Sequence, residues 1–300
     1  MSRRHLATLF LLAAIWGSSF MFIKIAVRDI APSTALLGRV AIGTLVLGLV
    51  VVISRPVRDV ALTLRRALVP MIVVGIVNTA LPVYLLFWAE TRIDSSTAAV
   101  LQASAPLFTA VLAFFFVHAE RVGGQRLVGV FVGFGGVALL VGTMSGGSVP
   151  AALAVVASAL CYAAAGLYAA RRLLDVPPLV VALGTLAVAT LALVPAGVAQ
   201  HPNDVPGWKS IASVVVLGVA GTGFAYVLYY SLVAGAGASR AILITYLVPP
   251  AAVLYGTVFL GEALTANALG GLVLILAGVA LGTGAVALRR RSEPVGSPAE

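Results

Sequence analysis

The side chains able to do chemistry in this chain are mostly uncharged, and they recur at helical spacing inside long apolar runs. Trp16, Ser19, Phe20 and Ile23 share one helix face by their three- and four-residue spacing. Asn78 and Pro82 lie together with Thr79 alongside, and Gln102, Ala105, Pro106 and Thr109 share another face. Ser158 with Tyr162, Tyr226 with Tyr230, and Thr245 with Pro249 complete the set. A few amides and hydroxyls on apolar and aromatic walls are what a small amphipathic solute needs from a pocket. Each residue also has a plainer use. Ser and Thr hydroxyls bond their own backbone, Asn78 and Gln102 can join helices, and Trp16 can serve as a packing aromatic. Tyr229, Tyr230, Trp88 and Trp208 read as interface anchors. Pro82, Pro106, Pro195 and Pro249-Pro250 remove backbone donors. They are either local breaks and hinges beside a cavity or tolerated kinks.

Catalytic and metal chemistry find little to work with. An intramembrane serine protease needs a Ser–His pair at depth, but His5, His118 and His201 fall at span ends or in a loop. No catalytic set, metal site or cofactor is expected. The lone Cys161 excludes an intramolecular disulfide. Lys24, Arg39, Glu90, Glu120, Arg240 and Glu262 all fall within a turn or two of a span end. Arg39 lies about one turn inside its span; it either snorkels outward or pairs with Glu90 or Asp29 as an external gate. Glu120 and Glu262 each precede a span and are expected at that helix N-terminus, with substrate gating as the alternative.

The elements that position these residues follow from composition. Of 300 residues 61% are hydrophobic and 10% charged, against about 45–50% and about 25% in a soluble domain. That excludes a disordered chain, collagen, a coiled coil and a soluble enzyme. The arginine-rich start resembles a signal peptide, but the chain stays apolar to about Leu288, so the segment reads as an uncleaved first helix. Ten spans are expected near 6–26, 34–53, 67–88, 95–117, 125–143, 149–170, 178–199, 209–231, 238–260 and 265–288. Each is about twice the length of a barrel strand and lacks alternation, which selects an all-α membrane protein.

With the N-terminus in the cytoplasm, 14 of the 19 Lys and Arg residues fall inside and 5 outside, so both termini are expected to be cytoplasmic. The net charge of +9 then serves topology, and no nucleic acid partner is expected. A constant shift of 142 residues aligns Glu120 to Leu139 with Glu262 to Leu281, and Pro106 matches Pro249 one residue out of step. Two halves follow, 1–145 and 146–288, with 289–300 as a cytoplasmic tail. Five spans per half make the halves inverted repeats, which usually hold substrate near the midplane. By register Trp16 pairs with Tyr162, Thr79 with Thr222 and Gln102 with Thr245. Gly129-x-x-x-Gly133 and Gly278-x-x-x-Gly282 read as packing faces, with a dimer face as the alternative; the chain is expected to be a monomer or a weak homodimer.

On Trp16-Gly17-Ser18-Ser19-Phe20 with Lys24, on Pro32 and Arg39, and on the two Pro…Glu…Leu-x-Gly…Gly-Val blocks, residues 6–285 resemble the EamA-type members of the drug/metabolite transporter superfamily. Cys161-Tyr162-Ala163 departs from the Trp-Ala pair frequent there, and the first Pro-to-Glu block carries one extra residue around 116–119. The resemblance implies alternating-access transport of small molecules across the inner membrane, often export of amino acids or other metabolites. Small multidrug exporters of that superfamily use a central glutamate, and this chain has none near a span centre. Uniport or exchange is therefore expected, with a proton-coupled multidrug exporter as the alternative and an intramembrane enzyme as an alternative of another class. The substrate pathway is expected at Trp16, Ser19, Asn78, Thr79, Gln102, Tyr162, Tyr226 and Thr245, the hinges at Pro82, Pro106 and Pro249, and a gate at Arg39 and Glu90.

Overall fold

The computed structural model describes residues 1–116 and 124–283, and among them every regular element is helical. The helices are α1 Arg3–Ala26, α2 Pro32–Ser54, α3 Val57–Arg66, α4 Leu68–Glu90, α5 Ser95–Phe116 and α6 Gln125–Gly142. They continue with α7 Ser148–Arg172, α8 Pro178–Ala199, α9 Trp208–Ala236, α10 Ile244–Leu260 and α11 Ala266–Gly282. Among the described residues, eight of these helices (α1, α2 and α4 to α9) are long and apolar enough to cross a membrane, while α10 and α11 are apolar but 17 residues long. This is a multi-pass membrane protein. His118, Glu120 and the tail 289–300 lie outside the described residues.

Local chemistry sets the boundaries. Pro32 and Pro178 open α2 and α8 at a position where no amide donor is needed. Ser2 caps α1 and Thr265 caps α11 through hydrogen bonds accepted from His5 and Ala268. The short amphipathic α3 is an addition to the expected spans. Its Val60 and Leu64, one turn apart, pack on the core, while Arg58, Arg65 and Arg66 stay exposed.

Two spans carry a π-helical segment, Gly75–Ala80 in α4 and Val219–Phe224 in α9. In α4, Pro82 lacks the amide that would bond the Asn78 carbonyl, and the Leu81 N–H reaches back five residues to Ile76. In α9 three glycines, Gly218, Gly221 and Gly223, loosen the equivalent turn. Pro82 therefore begins a fresh helical stretch instead of kinking a continuous one. The other prolines differ from each other. Pro106 follows a break at Ala103–Ser104, whereas Pro249 lies inside the unbroken α10, whose interruption comes earlier at Ile242–Leu243. Equivalent depth in the sequence thus does not give equivalent backbone.

Hydrogen bonds between helix termini define the two ends of the bundle. At one end Arg171 donates to the Phe116 carbonyl, and the Tyr246 and Thr283 hydroxyls meet at 3.1 Å. At the other end Ser33 and Thr34 of α2 donate to carbonyls of α8, and the Ser210 hydroxyl donates to Asp29 at 2.7 Å. Packing pairs α2 with α8 and α6 with α11, sets α1 against α9 and α10, and sets α7 against α4 and α5. The α6–α11 pair closes through its glycines: a Cβ on Gly278 would lie 2.4 Å from the Gly133 Cα, and one on Gly129 would lie 2.8 Å from the Gly278 carbonyl. These faces cover each other within the chain, so they are not the free dimer face weighed as an alternative.

Candidate functional site

A cavity of about 830 Å³ lies between the helices, within the range of small-molecule sites. All eight expected pathway residues border it: Trp16 and Ser19 from α1, Asn78 and Thr79 from the π turn of α4, Gln102 from α5, Tyr162 from α7, Tyr226 from α9 and Thr245 from α10. Both members of each register pair are therefore present. Pro106 and Pro249 border it as well; Pro82 does not.

The polar side chains are held by specific bonds. Ser158 is fully buried and donates to the Gln102 amide oxygen at 3.0 Å, which leaves the rest of that amide for the cavity. The Thr79 hydroxyl has no hydrogen-bond partner among the described residues. Ser19 donates to its own helix at Ile15, the plainer role. The Trp16 and Tyr229 rings approach to 5.5 Å and form an aromatic wall, and Tyr226 stacks on Tyr230 at 6.1 Å.

Three expectations need correction. First, Arg39 does not snorkel outward. It borders the cavity, and its Nε donates to the Thr222 hydroxyl oxygen at 3.0 Å. The π turn of α9 aims that oxygen, because the Thr222 hydroxyl proton goes to the Leu217 carbonyl five residues back, at 2.8 Å. Second, the Arg39–Glu90 and Arg39–Asp29 gates are not formed. Both Glu90 carboxylate oxygens lack a hydrogen-bond partner among the described residues, and Asp29 is taken by Ser210 and Gly207. Glu90 is completely buried although it ends its span, and it does not border the cavity. Third, Tyr229 is a wall of the cavity and not an interface anchor. It is the residue after Leu228 and three beyond Tyr226, so the face was readable. The misreading came from ending the span at 231 when α9 runs to Ala236.

Among the described residues the cavity lining runs further towards one end of the bundle than towards the other. Arg126, Leu167, Ile242 and Thr283 border it near the end that holds Phe116 and Tyr246. Towards the other end its lining stops near Ile23, Leu86 and Ala99. Two polar ties lie beyond. Lys24 Nζ donates to the carbonyls of Glu90 and Ile93, both at 2.7 Å, and so caps the C-terminus of α4. Glu262 accepts hydrogen bonds from the backbone N–H and hydroxyl groups of both Ser95 and Ser96. It therefore caps α5 and not α11, whose cap is Thr265. The turn at Gly261 (φ +69°) directs Glu262 back over α10, where its N–H bonds the Gly256 carbonyl. Burial would raise the Glu262 pKa, but the hydrogen bonds from Ser96 and Ser95 outweigh it and hold the carboxylate below its ordinary range.

Comparison with known proteins agrees with this architecture. The model of the EamA-like transporter family matches twice, over residues 4–142 and 149–283. A probable terminal-alkyne amino-acid exporter of Streptantibioticus cattleyicolor is 29% identical over 91% of this chain and 91% of its own. The uncharacterized inner membrane transporter YedA of Escherichia coli is 27% identical over 86% of this chain and 83% of its own. A solved crystal structure matches with a TM-score of 0.65, covering 95% of this chain and 99% of its own; at 20% identity it speaks for the fold alone. Two matches that together span nearly all of the sequence establish that the chain belongs to the EamA-like transporter family.

Proposed function

We propose that this protein is an alternating-access transporter of the inner membrane. In this reading it exports small organic solutes, amino acids or related metabolites, by uniport or exchange. Ten spans form two inverted five-helix repeats over 1–145 and 146–288, with both termini cytoplasmic. Residues 289–300 form the tail. The observation that carries the reading is a cavity of about 830 Å³ whose lining, among the described residues, runs to Arg126 and Thr283 towards one end and stops short of the Lys24 and Glu262 ties at the other.

Reciprocal contacts support the repeat, since a two-fold relation requires that if one residue touches a second, their counterparts touch in the reverse sense. A Cβ on Gly75 would press on Val188 at 2.8 Å, and one on Gly218 would press on Ile42 at 2.5 Å. Gly218 is the counterpart of Gly75, and Ile42 of Val188. Thr44 and Thr190, counterparts 146 residues apart, bond each other at 3.1 Å, as residues beside an axis would. The π segments recur in the third span of each half. The two apolar helices of 17 residues, α10 and α11, make up the tenfold count. The glycine faces used up inside the chain favour a monomer.

The substrate pathway in this reading comprises Trp16, Ser19, Asn78, Thr79, Gln102, Tyr162, Tyr226 and Thr245, with Pro106 just after the break at Ala103–Ser104 and Pro249 on the cavity wall. The amino-acid exporter among the relatives supports the solute class. Counterflow into liposomes over a panel of amino acids and related metabolites tests the reading. Accumulation of any of them without an imposed gradient supports it; no flux from demonstrably folded protein overturns it.

One observation favours a second reading, the proton-coupled exporter. Glu90 is a buried carboxyl without a hydrogen-bond partner among the described residues, and an intramembrane acid of that kind can carry a proton. Flux that requires a pH gradient and is lost in Glu90→Gln would replace uniport with coupling.

A further inference from the structure

We propose that Arg39 is an anion subsite of this cavity and that the preferred solutes are organic acids carrying an apolar or aromatic body. The inference rests on the transport reading and narrows it. A guanidinium has five N–H donors in a planar fork. In Arg39 only Nε has an acceptor among the described residues, the Thr222 hydroxyl at 3.0 Å. The two terminal nitrogens have no hydrogen-bond partner there, and Arg39 is a partly exposed residue of the cavity wall. Nε and Thr222 fix the plane of the fork, and the outer edge is left for a ligand.

The missing partner is an anion. A charge taken out of bulk water is costly unless it is paired, and no Asp or Glu borders the cavity among the described residues. The nearest candidates are engaged or enclosed elsewhere: Asp29 accepts from Ser210 and Gly207, and Glu90 is fully buried outside the lining. A planar carboxylate matches the free edge of the fork in a bidentate way. Phe87, whose centroid is 6.0 Å from the guanidinium carbon, covers one side, and the Trp16–Tyr229 wall gives the organic body an aromatic surface.

The cation is also one-sided. Arg39 follows Gly38 as Thr185 follows Gly184 in the corresponding helix, and Thr185 bonds its own backbone at Ala182. The other cation of the lining, Arg126, lies near the end that holds Phe116, so an acid group held by Arg39 binds off the axis, against α2 and α9. With no carboxylate bordering the cavity among the described residues to hold an ammonium, acids are favoured over zwitterions and zwitterions over amines.

Four probes with one ring separate the terms: 3-phenylpropionate, its amide, L-phenylalanine and phenethylamine. Equilibrium binding to the full chain in nanodiscs should rank the acid first, with the amide and the amine at least ten-fold weaker. Arg39→Gln should remove that ten-fold preference by weakening acid binding far more than amide binding. Thr222→Val, which frees the fork but keeps the charge, should reduce the preference without abolishing it. Melting of each variant reports folding, and the acid-to-amide ratio of the unmutated protein needs no variant at all. Equal binding of acid, amide and amine, or no binding of the acid, overturns the subsite. Counterflow by the same protein in liposomes separates the two readings. Acid-selective binding without flux overturns transport and keeps the subsite; flux of phenethylamine equal to that of the acid keeps transport and overturns the subsite.

Discussion

Glu262 and Ser96 are joined twice: one carboxylate oxygen accepts both the backbone N–H of Ser96, at 2.9 Å, and its hydroxyl. The other oxygen takes the same two groups of Ser95, both at 2.8 Å. A short loop between α10 and α11 thereby caps α5, a helix more than 160 residues away in sequence, beyond the end of the cavity lining at Ile23, Leu86 and Ala99. Negative charge at a helix N-terminus is stabilising in its own right.

Replacing the carboxylate tests the tie. Glu262→Ala should lower stability by about 1–3 kcal/mol, the scale of a lost cap with charged hydrogen bonds, read as a fall in melting temperature. The pH dependence has a defined sign. Because the folded protein holds Glu262 below its ordinary carboxylate range, its contribution is fully present above the unfolded value and fades as pH falls through the lower folded one. The gap in melting temperature between the protein and Glu262→Gln should therefore be widest near neutrality and close in acid. Asp94, raised first by burial and then by the Glu262 charge, works in the opposite sense, so Asp94→Asn should widen the gap. A gap that is constant with pH would remove the carboxylate from the account.

Gly256 makes room for this tie. A Cβ there would lie 2.2 Å from the Ser96 hydroxyl and 2.3 Å from a Glu262 oxygen. Gly256→Ala should cost about 1–3 kcal/mol by displacing both groups. Because it acts through the same contact, its effect on top of Glu262→Ala should be much smaller than alone. Additive losses in a double-mutant cycle would separate the two.

The α6–α11 contact predicts a contrast between two glycines. Gly278→Ala must push a backbone apart, since the added carbon would lie 2.4 Å from the Gly133 Cα and amide nitrogen. Gly135→Ala meets nothing within 4 Å. The first should sharply reduce the yield of folded protein. The second should shift the melting temperature only as far as about 1 kcal/mol of helix propensity allows, in the stabilising direction. Similar behaviour of the two on size-exclusion chromatography would contradict the packing.

Single cysteines at Trp16, Asn78 and Gln102 in a Cys161→Ser background test the cavity face. Each should react with a hydrophilic thiol reagent and be protected by a transported solute, with at least several-fold slower labelling. If all three resist reagent from both sides of the membrane, the face is wrong.

Composition and spacing alone carried much of this protein. An apolar fraction too large for a soluble surface, in runs of helix length, determined a multi-pass helical chain. Three- and four-residue spacing was enough to select Trp16, Asn78, Gln102, Tyr162, Tyr226 and Thr245, because residues on one helix face must share an environment. By internal register Trp16 is expected to correspond to Tyr162 and Gln102 to Thr245. Spacing along a chain does not say what a side chain meets across the bundle, and the charged groups show it. Arg39 and Glu90 read alike, as charges near span ends. Only the packed helices gave Arg39 the Thr222 hydroxyl and a place on the cavity wall, and enclosed Glu90 with no hydrogen-bond partner among the described residues. Glu262 likewise looked like the cap of its own helix until the Gly261 turn brought it to Ser95 and Ser96. Helix faces are set by local geometry with a fixed period, so a sequence records them. Partners for a charge are set by long-range packing, which only the tertiary structure decides.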